Sequence, residues 1–226
     1  MSAVFLRKKQ WWYIALSQLL AGFIGACMCY AVMVSYASLV WVGKSFYFLV
    51  SKNMHLEASC HTTRLDGGAG YLLDHEGVSY VAWSVYFNEV DGLTVQSGLA
   101  SATHLLKLDV SYLSFKTRAD KKKKTVVLDA LNSFYGCIDV LSQGIEMLDQ
   151  GLTQQACARL LSLLSRTYTY MRETYRESYP QLSKACDGLQ TALANMLTRT
   201  IYGKDLRYLL CSACDAYIRL TSVFTL

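Results

Sequence analysis

Hydrophobic positions change their rhythm along the chain. From Gln10 to Gly43 they are nearly continuous, and no residue in that run carries a charge. A membrane-spanning helix needs about 20 apolar residues, whereas a signal-peptide core needs only about 7–15. The run is too long for the second and has no convincing cleavage site followed by a polar start. It therefore predicts a retained transmembrane helix. Trp11, Trp12 and Tyr13 at one end, and Trp41, Phe46 and Tyr47 at the other, suit two interfacial aromatic belts. The midpoint Cys29-Tyr30-Ala31-Val32 has no turn residue, and Lys44 would fall inside a second span, so one long tilted helix is favoured over a hairpin.

Further on, the rhythm becomes helical. Val127, Leu131, Phe134, Ile138, Leu141, Ile145 and Leu148 alternate spacings of 4 and 3, which puts them on one stripe. Leu152, Ala156, Leu160, Leu163, Thr167 and Tyr170 (or Met171) make a second stripe, opposite an outer face with Arg159, Arg166, Arg172, Glu173, Arg176 and Glu177. Pro180 ends that helix, because the residue before a proline avoids the helical region. A third helix uses Leu182, Cys186, Leu189, Leu193 and Met196, closed by Gly203. A fourth uses Leu206, Leu210, Cys214 (or Ala213), Tyr217 and Leu220. An earlier helix through Leu99, Ala102, Leu106 and Leu113 would stop before a solvated connector, Arg118 to Lys124. Short links between consecutive amphipathic helices give antiparallel neighbours.

These rhythms predict a mainly α protein: one N-terminal transmembrane helix followed by an antiparallel four- or five-helix bundle. The expected divisions are a basic tail (1–10), the transmembrane helix and its extension (11–50), a transition segment (51–91) and the bundle (92–226). The transition holds a glycine-rich loop, Asp66 to Gly70, and Val78 to Phe87, where periodicity does not choose between strand and helix.

Composition supports an apolar head on a more ordinary body. The chain is 53% hydrophobic and 17% charged, against about 45–50% and about 25% in soluble domains. Its single proline, Pro180, disfavours an all-β fold. The net charge of +5 comes largely from Arg7-Lys8-Lys9 and Lys121 to Lys124, neither interleaved with aromatics, so no nucleic-acid partner is expected. The first cluster directly precedes the span and argues for a cytoplasmic N-terminus, with the C-terminal domain on the far, periplasmic or extracytoplasmic side. Gly22, Gly25 and Ala26 form a candidate helix-pairing face, since small residues let backbones approach.

Candidate chemistry is thin. Ser38 to Ser45, SLVWVGKS, ends like a phosphate-binding loop, but its first position is not glycine and its interior is bulky, unsuited to an anion nest. Lys44 is read instead as the end of the span. Cys27 and Cys29 lie within the run. The body holds Cys60, Cys137, Cys157, Cys186, Cys211 and Cys214, an even set that permits disulfides outside the cytoplasm. Cys211 and Cys214 have the C-x-x-C spacing of redox and zinc sites, but within a helical pattern. His55, His61, His75 and His104 are scattered. No catalytic residue, metal or cofactor is assigned.

The chain has 16 tyrosines. Tyr168, Tyr170, Tyr175 and Tyr179 gather near Arg172 and Arg176, a mixture enriched at protein interfaces. The reading is thus a non-enzymatic, membrane-anchored accessory subunit of a multiprotein assembly, with a bacterial secretion or conjugation apparatus as one setting. Its expected partners are the lipid bilayer, other proteins of the complex and further copies of itself. The alternatives are a tethered thiol redox or metal-binding enzyme using Cys211 and Cys214, and a hairpin-anchored channel or membrane-remodelling component.

Overall fold

The structure is a computed structural model that describes residues 39–52, 55–99, 102–115, 118–149, 151 and 154–224. In order, the elements are β1 (Leu39–Ser51), α1 (Leu56–Leu65), β2 (Tyr71–His75), β3 (Val78–Tyr86), α2 (Glu89–Gly98), β4 (His104–Ser114), α3 (Arg118–Asp149), α4 (Gln154–Thr174), α5 (Pro180–Leu197) and α6 (Gly203–Ser222). The strands form one sheet in the order β2-β3-β1-β4, and every neighbouring pair is antiparallel. The pure helical bundle is therefore corrected to helices packed with a four-stranded sheet.

The largest correction concerns β1. Leu39 to Val50, expected as the end of a membrane helix, is a central strand paired with β3 on one side and β4 on the other. Toward its Phe46–Val50 end β1 is covered on both faces, and a strand so covered reads as a near-continuous apolar run, whereas Trp41 near its start is 70% exposed. Phe46, Phe48, Leu49 and Val50 are all fully buried. Among the described residues no helix is long and apolar enough to cross a membrane, so the single-pass localisation is not supported. The rest of the expected span, with Gly22, Gly25, Ala26, Cys27 and Cys29, lies outside the described residues.

The neighbouring strands follow local chemistry. Val78–Tyr86 resolves as strand, joined to β2 by a two-residue turn at Glu76 and Gly77, whose φ angles of 50° and 76° lie in the left-handed region and match the right-handed twist of the paired strands. Trp83 is an extra residue in β3: Leu49 pairs with Ser84 and Val50 with Ala82, which leaves a bulge between. β4 replaces the expected helix through Leu106 and Leu113. Arg118 to Lys124 is not a connector but the opening turns of α3.

Helices α3 and α6 cover the sheet. The Phe46 ring meets Tyr135 of α3 and Tyr217 of α6, with centroids 6.4 and 5.8 Å apart. The predicted stripe of α3 is buried from Val127 to Ile145, and those of α5 and α6 are buried in full. All these residues join the sheet side chains in one continuous core. Each large apolar side chain so buried contributes about 1.5–3 kcal/mol. Pro180 begins α5 rather than ending α4, as its fixed φ and missing N–H allow at a first helical position. Gly203 likewise opens α6 and does not close α5. Asp205 completes this start: its carboxylate accepts from the Tyr202 backbone N–H at 3.1 Å and from Arg64 and Arg199 at 2.8 Å each.

Candidate functional site

The phosphate-loop ending and the thiols take structural places. Gly43, at φ +57°, sits in the β1 bulge, where a Cβ would collide with the Trp41 ring. Lys44 lies within β1 with its Nζ 3.8 Å from the centre of the Tyr135 ring, a cation–π contact. The Ser45 hydroxyl donates to Asp109 at 2.6 Å. No phosphate cradle results, because these residues are in a strand and not at a helix N-terminus.

All six cysteines of the body are free, which corrects the expected disulfides. Cys211 and Cys214 are fully buried in α6. Burial pushes both thiols far above their usual range, Cys137 up to about 11 and Cys186 to about 12. A buried protonated thiol is a poor nucleophile and a poor metal ligand. Cys157 is also buried and shifted upward by desolvation. Cys60 is the most open of the set; burial raises its pKa and Arg64 opposes that shift. Among the described residues no group of His, Cys, Asp or Glu could hold a metal ion.

The tyrosine cluster divides between core and surface. Tyr168 is fully buried against Phe134, and its hydroxyl has no hydrogen-bond partner. Tyr179 is buried and donates to the Leu220 carbonyl at 2.6 Å, tying the α4–α5 corner to α6. Tyr175 packs partly buried on the core. Tyr170 is 67% exposed. Arg172 is committed within the molecule: it donates to Glu173, Asp187 and the Gln190 side chain at 2.8–3.1 Å. Arg176 is largely exposed, 3.9 Å from Glu173.

What the structure assembles instead is a face along α4. Its buried residues are Cys157, Leu161, Leu164, Tyr168 and Met171, one position out of step with the expected stripe. The opposite face carries Gln155, Arg159, Leu163, Arg166, Tyr170 and Glu173, all exposed. Leu163, expected inside, is 60% exposed. Arg159 and Arg166 flank it one turn to either side, and neither makes an ion pair among the described residues. The signal that could have found this face is the doublet pair Leu160-Leu161 and Leu163-Leu164, which satisfies two helical phases equally.

A cavity of about 380 Å³ lies where the β3 bulge meets α2, α3 and α6, walled in part by Trp83, Tyr86, Val95 and Glu146. Arg207 and Asp149 in its wall are locked together by two hydrogen bonds of 3.0 and 2.9 Å. Comparison with protein-family models, with curated proteins and with solved structures finds no match in any of the three.

Proposed function

We propose that this protein is a non-catalytic accessory subunit of a multiprotein assembly, and that α4 is its docking face for an acidic, amphipathic segment of a partner. The observation that carries the reading is the stripe Arg159-Leu163-Arg166-Tyr170. Two apolar anchors seven residues apart are interleaved with two guanidinium groups that have no ion pair among the described residues, on a helix whose other face holds the core. Arginine and tyrosine are enriched at binding hot spots because both bury a large area and keep polar ends for recognition, tyrosine doing so with little lost freedom. Positive charge without local carboxylate partners favours an acidic counterpart. A thiol-based enzyme finds less support, since Cys211 and Cys214 are sealed inside α6.

The test is site-specific photocrosslinking at Leu163 in cells that make the full chain, with the adduct identified by mass spectrometry. A discrete acidic partner is expected, and the Arg159→Glu/Arg166→Glu variant should lose it while keeping its thermal unfolding midpoint. An unchanged adduct in that variant, or no adduct at Leu163, overturns the reading.

A further inference from the structure

The two edges of the sheet are unlike. β2 has five residues and is tied to α6 through Tyr71, whose hydroxyl donates to Asp215 at 2.6 Å and whose ring meets Tyr208. β4 has 11 residues and pairs with β1 along its inner side. On its outer side, the Ser114 N–H donates to the Phe224 carbonyl at one end. At the other end, just before the strand, Gln96 reaches the Thr103 carbonyl at 2.6 Å. Between these points the outward backbone groups of β4 have no partner among the described residues. A long bare edge is a template for another strand.

We propose that this edge pairs with the same edge of a second copy of the chain, antiparallel, about a two-fold axis at Leu108. Outward-pointing backbone groups alternate along a strand, so the axis of such a pair must pass through a residue. With the axis at Leu108, Lys107 stands opposite Asp109 of the second copy, and Asp109 opposite its Lys107. Leu106 faces Val110, so apolar side chains continue the core side while the charges pair on the other face. Moving the axis by one residue sets Lys107 against Lys107, or Asp109 against Asp109. The charges that would otherwise guard the edge therefore select one register. They are already ordered for it: Lys107 Nζ lies 2.9 Å from Asp109, and Ser45 holds the same carboxylate. The contact is isologous and closes, giving a dimer with one eight-stranded sheet and no open-ended filament.

Self-association of the full chain, followed by light scattering across a concentration series, tests the register. Lys107→Asp alone and Asp109→Lys alone each set like charges against one another and should weaken dimerisation about tenfold or more. Mixed together, those two variants should form a heterodimer, because their charges then complement. The doubly swapped chain, K107D with D109K, should recover self-association. Circular dichroism on each variant separates lost pairing from lost folding, and the mixing experiment works even if the double variant folds poorly. A wild-type chain that stays monomeric at its highest soluble concentration overturns the proposal, as does a dimer indifferent to Lys107→Asp.

Discussion

Helices α4 and α6 differ by one residue in length, 21 against 20, and both are amphipathic. They use their side chains in different ways. α6 packs against the sheet, α3 and α5, and buries 11 residues, including Asp205 and Asp215. α4 packs against α3 and α5 and buries five. Where a helix is surrounded, every apolar position is used up in folding and even carboxylates are drawn inside, each paired with arginine. Where a helix keeps a free face, a large apolar side chain such as Leu163 contributes little to folding. It remains available for recognition.

This contrast can be broken in a graded way. Truncating Tyr217 of α6 to alanine should cost about 3–5 kcal/mol in denaturant unfolding, because its ring is buried among Phe46 and Tyr135. Asp205→Ala removes a helix cap and two arginine partners together and should cost about 2–4 kcal/mol by the same measurement. A third effect depends on pH. The Cys137 and Cys186 thiols keep their protons in the native state up to about 11 and about 12, whereas the unfolded chain loses them near 9. The stability they contribute is whole below pH 9 and falls as pH rises through the native values, and the C137A/C186A variant should flatten that alkaline decline.

Smaller effects separate the tyrosines. Tyr168→Phe removes a buried hydroxyl that has no partner and should leave stability unchanged or raise it by about 1 kcal/mol. Leu163→Ala and Tyr170→Ala on the outer face of α4 should each stay within about 0.5 kcal/mol in unfolding, while co-purification of the partner first identified by crosslinking at Leu163 is lost. If Leu163→Ala unfolds the protein like a core truncation, the two helices are not different after all.

Local rhythm carries the helices of the second half but not the sheet they pack on, and both outcomes have physical causes. The stripes of α3 and α5 were legible because each offers a single apolar phase, and that of α6 because it is buried widely enough to accommodate either choice at Cys214 or Ala213. The phase of α4 was not, since the leucine doublets at 160–161 and 163–164 fit two faces that only the neighbouring helices distinguish. β1 was hidden by its central place: the mixture of β-branched and aromatic residues in Leu39–Ser51 was open to reading as lipid-facing helix. β4 did carry its signature, with Leu106, Leu108 and Val110 alternating against Lys107 and Asp109, but a looser helical match through Leu99 and Leu113 obscured it. The site was half legible. Of the residues expected at a partner surface, Tyr170 and Arg176 are exposed, whereas Tyr168 and Tyr179 show that a tyrosine-rich stretch need not be a tyrosine-rich face; Arg159 and Arg166 belong to the expected outer face but not to that expected surface.

The backbone link between Ser114 and Phe224 has a mechanical consequence. Leu39 pairs with Ser114 in the sheet, so the chain enters and leaves the described fold at one corner. A load applied through those two points would peel that corner open one bond at a time, instead of shearing many strand bonds at once. Tension would thus release α6 from the sheet before it reached the outer face of α4.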